Sequence, residues 1–145
     1  MITFAQLNDD ITLDCDVEPK TRFRLRSLRY SDEAKIREAQ DAAGILPPSA
    51  LKALYGRWKD AGEHVDLTDD EQRDLDIYTA RTIAREIKVC SLGVIEIDSK
   101  PVTPEEVEQM LDQIPRTMRD KVRTELASKI EALGSPDPKS GRPSE

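Results

Sequence analysis

The chain has 145 residues, 37% apolar and 35% charged, with a formal net charge of −7. That length suits one ordinary domain, able to bury a core without metals or disulfides, and the composition is too apolar for full disorder. The acidic balance argues against a general nucleic-acid binder, which needs clustered Lys and Arg for phosphate contacts. No window approaches the roughly 20 consecutive apolar residues of a membrane span. Residues Met1 to Gln6 lack the basic stretch and apolar run of a signal peptide. The two cysteines, Cys15 and Cys90, share no C-x-x-C motif and have no partner histidine nearby. They read as reduced packing residues rather than a disulfide framework. A protein kept in a reducing cytoplasm is the expectation.

In chain order, the first element is a β-hairpin. Ile11, Leu13, Cys15 and Val17 alternate with Thr12, Asp14, Asp16 and Glu18, and the alternation resumes over Arg22-Phe23-Arg24-Leu25-Arg26. Folding about Lys20 pairs Glu18 with Arg22, Asp16 with Arg24 and Asp14 with Arg26. It also sets Val17 against Phe23 and Cys15 against Leu25. One face is then apolar, and the other is a ladder of opposite charges, each pair contributing roughly 0.2–1 kcal/mol. The arginine stripe Arg22, Arg24 and Arg26 therefore reads as structural rather than as a nucleic-acid contact. The pattern slips at Ser27-Leu28, where a bulge or strand end is expected.

Helices follow. Ser31 caps a helix to Ala43, with Asp32 and Glu33 in its first turn, and Gly44 stops it. Pro47-Pro48-Ser49 opens a second helix, closed by Gly62. Its stripe is Leu51, Leu54, Tyr55 and Trp58, at i, i+3, i+4 and i+7. Thr68 and Glu71 form a capping box ahead of a helix of about 20 residues, with Leu75, Tyr78, Ile83 and Ile87 supplying most of its buried surface. After Gly93, Val94 to Asp98 is β-prone and runs into a turn at Ser99-Lys100-Pro101, with no pairing partner fixed by pattern. Thr103-Pro104-Glu105-Glu106 combines an N-cap, proline at the first helical position and glutamate three residues on. That helix buries Val107, Met110, Leu111 and Ile114, and Pro115 ends it. The last helix carries Met118, Val122, Leu126, Ile130 and Leu133, and stops at Gly134. Residues 135–145, with three prolines and no apolar side chain, read as a disordered tail. The expected fold class is α+β and mostly α-helical: an N-terminal β-hairpin packed on a bundle of about five helices, in a single domain over 1–134.

Chemistry is sparse. The single histidine, His64, sits in a loop, which excludes His-rich metal sites. No nucleophile motif and no glycine-rich phosphate loop occurs. Asp9-Asp10 and the run Asp66 to Glu71 lack the spacing of a calcium loop, and helix capping accounts for Asp69, Asp70 and Glu71. No catalytic, metal or cofactor-binding residue is assigned, no cofactor is expected, and the chain reads as a non-enzyme. The candidate partner-binding residues are Leu51, Leu54, Tyr55 and Trp58, because Trp and Tyr are over-represented at binding hot spots. The competing reading makes them core.

The order of elements carries a resemblance. A strand ending Phe23-Arg24-Leu25-Arg26-Ser27-Leu28 runs into a polar helix at Ser31-Asp32-Glu33. A long helix through Tyr78-Thr79-Ala80-Arg81-Thr82-Ile83-Ala84 leads to Val94-Ile95-Glu96-Ile97-Asp98-Ser99-Lys100-Pro101-Val102, followed by Leu111-Asp112-Gln113-Ile114-Pro115 and a final helix. This resembles the tail assembly chaperones of long-tailed bacteriophages, and similar layouts occur in baseplate-hub assembly proteins of contractile-tailed phages. The resemblance covers residues 20–40 and 78–133 at the level of residue type, and 45–67 does not map onto it. It implies a protein that binds the tape-measure protein and keeps it soluble in the host cytoplasm until tail-tube subunits polymerise around it. It also implies self-association into a homo-oligomer, and a frameshifted longer form. The alternative is a small acidic regulatory adaptor or inhibitor that binds a folded protein partner.

Overall fold

The structure, a computed structural model, describes residues 12–17, 21–61 and 67–134. Within them, side chains are described except for 12–17, Leu51, Leu54 and 57–61. The expectations for Asp9-Asp10, Gly62, His64, Asp66 and the 135–145 tail fall outside the described residues.

The order is β1 (Thr12–Val17), β2 (Thr21–Arg26), α1 (Tyr30–Ala43), α2 (Pro48–Ala61), α3 (Asp69–Gly93), β3 (Val94–Ile97), β4 (Lys100–Pro101), α4 (Pro104–Gln113) and α5 (Arg116–Gly134). The fold is mostly helical α+β, as its periodicities predict. The hairpin is not alone: β3, whose pairing the sequence left open, joins β2, and an antiparallel sheet forms in the order β1-β2-β3-β4.

The hairpin register corrects the sequence reading. Asp14 faces Arg24, Asp16 faces Arg22, Cys15 faces Phe23 and Leu13 faces Leu25. Every pair is thus displaced by two residues. A shift of two preserves which face each residue occupies, so alternation could not detect it. The expected register closes at Glu18 and Arg22 around a Pro19-Lys20-Thr21 turn. The observed ladder closes instead at Val17 and Thr21. The alternation in β2 itself holds, with Phe23 and Leu25 buried and Arg22 and Arg24 exposed. The strand ends at Arg26, before Ser27-Leu28, and the irregularity in pairing lies at Arg24/Leu25 against β3.

The chain divides into two compact units: Lys35–Arg85, and the residues before and after it. α1 and α3 contribute to both. In the unit that contains the sheet, α5 packs on β1 and β2 and against α4. Its core joins Phe23, Leu25 and Val94 of the sheet to Val89 and Cys90 of α3, Val107 and Leu111 of α4, and Val122, Leu126, Ala127 and Ile130 of α5. Each fully buried apolar side chain contributes roughly 1.5–3 kcal/mol. Gly93 closes α3 and passes directly into β3, and only a hydrogen fits there: a Cβ would meet Ile130 Cγ2 at 2.5 Å. The β3–β4 turn is Asp98-Ser99, both at positive φ (50° and 68°), as a two-residue hairpin turn requires. Asp98 also ties back to β2. Its N–H donates to the Arg22 carbonyl at 2.8 Å, and Arg22 N–H donates to Asp98 Oδ1 at 3.0 Å.

Helix starts follow the predicted signals at two places. The boxes Thr68/Glu71 and Thr103/Glu106 both form reciprocally. The start of α1 differs: the helix begins at Tyr30, and Asp32 rather than Ser31 provides the cap. Asp32 Oδ2 accepts from Arg29 N–H at 2.8 Å and from Arg26 Nη1 at 3.0 Å, which buries the carboxylate between strand and helix. α3 corrects a second expectation. It runs for 25 residues, and its buried residues are Val89, Cys90, Ser91 and Gly93. Leu75, Tyr78, Ile83 and Ile87 are only half-buried.

In the Lys35–Arg85 unit, Gly44 ends α1 at φ 140°, as its position predicts. Arg81 Nη1 of α3 donates to the Gly44 carbonyl at 2.6 Å and to Asp41 Oδ1 at 3.0 Å. This satisfies a carbonyl that the helix end leaves open. Among the described residues, Ile36 is the one buried side chain of this unit.

Candidate partner-binding site

α2 contains all four candidate residues, Leu51, Leu54, Tyr55 and Trp58. It starts where proline permits, with Ala50 N–H donating to the Pro47 carbonyl at 3.0 Å. The side chains of Leu51, Leu54 and Trp58 lie outside the described residues, so Tyr55 represents the stripe. It is 55% exposed. Its hydroxyl is hydrogen-bonded with Tyr78 of α3, and that bond, followed by charge interaction with the same residue, raises the Tyr55 phenol above its ordinary pKa. The structure thus brings Tyr78, expected as core, to the edge of the candidate face. Ile45, three residues ahead of α2, is 76% exposed. Its signal was present in the sequence as an apolar residue between Gly44 and Pro47, where solvent-facing loop residues are usually polar.

Other groups capable of chemistry resolve into structure. Cys90 is fully buried and free, and its thiol donates to the Arg123 carbonyl at 3.5 Å. Burial first, then the nearby Glu86 carboxylate, pushes its pKa up to about 12, so it is a poor nucleophile. Beside it, Arg123 Nε donates to Glu86 Oε1 at 2.9 Å and Nη1 to Asp120 Oδ1 at 2.8 Å. Burial works against the guanidinium charge there, but the hydrogen bonds to Glu86 and Asp120 outweigh it and raise the Arg123 pKa. The ion pair joins α3 to α5. Among the described residues, no group of three or more His, Cys, Asp or Glu converges as a metal ligand set. In the acidic start of α3, Glu71 belongs to the capping box and Asp70 pairs with Arg73 at 3.0 Å.

The arginine stripe separates into different environments. Arg26 is mostly buried against Asp32. Arg24 lies 3.4 Å from Glu96, and with Arg22, Glu96 and Ser99 it lines a surface groove. Among the described residues, no helix is long and apolar enough to cross a membrane. Compared with protein-family profiles, characterised proteins and solved structures, the chain matches none.

Proposed function

We propose that the chain is a non-enzymatic cytoplasmic protein that binds a helical, apolar segment of another protein and keeps it soluble. In its most specific form it is a tail assembly chaperone acting on a phage tape-measure protein before the tail tube assembles. One observation carries the binding reading. Ile45, just ahead of the amphipathic helix α2, and Tyr55, on it, both stand in solvent. A binding face needs apolar surface that the fold has not already used. The phage assignment rests on the order of elements in the sequence. The test is co-expression with the long helical product of the same locus. That partner should be soluble only with this chain present, and equal solubility without it would sink the reading.

The acidic adaptor remains the second reading. α4 supports it by turning Glu105, Glu106, Glu108 and Asp112 to solvent. An adaptor docking on a basic folded surface binds with steep salt dependence, whereas a holdase of apolar segments binds with little. A salt titration of the complex separates the two.

A further inference from the structure

On the face of the sheet opposite Phe23 and Leu25, Arg22 and Arg24 of β2, Glu96 of β3 and Ser99 of the β3–β4 turn line a groove of about 200 Å³. Two of its features exceed what a structural charge ladder needs. The first is the turn. Ser99 sits at φ 68° and Asp98 before it at φ 50°. Glycine takes such a conformation without steric cost and serine does not, so the turn accepts strain to keep a hydroxyl at the groove. It is also braced, because the N–H and carbonyl of Arg22 both bond to Asp98, at 3.0 and 2.8 Å. The second feature is the loose pairing of Arg24 with Glu96. Their atoms are 3.4 Å apart, whereas Arg26–Asp32, Arg81–Asp41 and Arg123–Glu86 close at 3.0, 3.0 and 2.9 Å. A charge-assisted bond normally spans about 2.7–2.9 Å. The Arg24 side chain is 45% exposed, so a better-placed acceptor can reach it from solvent.

We infer that this groove recognises an acidic peptide segment of a protein partner, receiving one carboxylate side chain and the backbone beside it. The inference rests on the protein-binding reading above and adds a second point of contact with its own chemistry. Guanidinium groups are planar forks that match the two oxygens of a carboxylate, so Arg22 and Arg24 take the acidic side chain. The Ser99 hydroxyl donates to a peptide carbonyl, and Glu96 accepts from a peptide N–H. The ladder register sets Asp16 of β1 opposite Arg22 and Asp14 opposite Arg24. A guanidinium carries five donors, so an incoming carboxylate adds to the existing partners without requiring their release. The chain's net charge is −7, so no long-range field draws an acidic segment in, and recognition depends on the contacts at the groove. The competing structural reading is a solvated ion ladder in which Ser99 is an incidental turn residue.

The experiment uses the full chain, isotope-labelled for amide NMR and titrated into the millimolar range at fixed ionic strength. Acetyl-Gly-Asp-Gly-amide should saturate and shift the amides of Arg22, Arg24 and Ser99. Acetyl-Gly-Asn-Gly-amide, a neutral probe of the same shape, should bind at least ~5-fold more weakly. Arg24→Gln should weaken the Asp probe by a similar factor. Ser99→Gly separates the two readings. It should raise the melting temperature, because glycine relieves the turn, and weaken the Asp probe about threefold or more through the lost hydroxyl. A Ser99→Gly variant that is no more stable than the parent, or that binds the probe equally well, overturns the proposal. Equal binding of the two probes, or shifts as large around the exposed Lys121 of α5, does the same. The co-expression result is independent. A solubilised helical partner with no probe binding removes the groove and leaves the chaperone reading. Probe saturation with a partner equally soluble alone removes the chaperone reading and leaves the groove as a peptide site.

Discussion

Replacing Gly93 by alanine tests the packing that joins α3, the sheet and α5. A Cβ at that position would lie 2.5, 2.6 and 2.8 Å from Cγ2, Cδ1 and Cγ1 of Ile130. Carbon atoms in contact sit about 3.5–4.0 Å apart, so the new methyl overlaps three atoms of one side chain by roughly 1 Å. Ile130 is fully buried, so its side chain has little room to turn away. Overpacking of this kind costs about 1–3 kcal/mol. Alanine's gain in helix propensity is at most about 1 kcal/mol, and Gly93 is the last residue of its helix, so the gain does not offset the clash. The expected net loss is about 2 kcal/mol, a fall of about 1 M in urea midpoint for an m-value near 2 kcal/mol/M. Ile130→Ala alone removes the same three atoms and should cost about 2–5 kcal/mol through its cavity. In the double variant the methyl introduced by Gly93→Ala has nothing to strike and fills part of that cavity. The double should therefore be no less stable than Ile130→Ala alone, a coupling of about 2 kcal/mol. Additive losses within about 0.5 kcal/mol, or a Gly93→Ala variant as stable as the parent, would refute the reasoning.

Glu86→Ala leaves the Arg123 guanidinium, 8% exposed, with Asp120 as its remaining carboxylate. It should cost about 3 kcal/mol, and Glu86→Leu with Arg123→Met should recover most of that loss in the same denaturation assay. Asp14→Arg should destabilise by about 0.5–1 kcal/mol against Arg24 and couple to Arg24→Asp more strongly than Asp16→Arg does; the reverse ranking in a double-mutant cycle would restore the register expected from sequence. Cys90 should resist a disulfide reagent at pH 8 in the folded chain and react on unfolding. Its raised pKa means that the unfolded thiol ionises first, so its contribution to stability is complete below about pH 9 and is lost as pH rises toward 12. A parent-minus-Cys90→Ala comparison that gained stability over that window would contradict the sign. Magnesium, calcium, zinc and nucleotides should leave the melting temperature unchanged, because a ligand at 100 times its dissociation constant adds about 2.7 kcal/mol; a clear upward shift would reopen the question of enzymatic activity.

What was legible in the sequence was local. Capping boxes at Thr68 and Thr103 form because four residues suffice to specify them, and β2 buries alternate residues because the pleat has period two. The hairpin register was not legible. Two registers differing by two residues place the same side chains on the same faces, and both match acids with arginines. Neither alternation nor charge pairing tells them apart. The burial of α3 was missed for a different reason: helical spacing identifies a face, not how far along the helix something covers it. Leu75, Tyr78, Ile83 and Ile87 share the spacing of core residues, yet full burial is confined to the last turns, where α5 and the sheet meet the helix. The capping role of Asp32 needed Arg26, six residues away across the strand end, which no helix-start pattern includes. At the candidate site the stripe was legible as a helix, while the approach of Tyr55 to Tyr78 depends on two helices meeting within their unit.

The uneven distribution of burial has an energetic consequence. Leu126 and Ile130, with Phe23, Leu25 and Val89, form a dry interior that can supply the hydrophobic term outright. Within the Lys35–Arg85 unit, Arg81 ties α3 to the end of α1 through the Gly44 carbonyl and Asp41. Polar ties of this sort contribute about 1 kcal/mol each. A segment held by a few of them opens at a small fraction of the global unfolding free energy. That is a poor arrangement for a scaffold and a suitable one for a binding face. On the binding reading proposed above, a partner helix covering such a segment would offset the cost of opening it. The same logic limits affinity, because the free energy of opening is subtracted from every binding event.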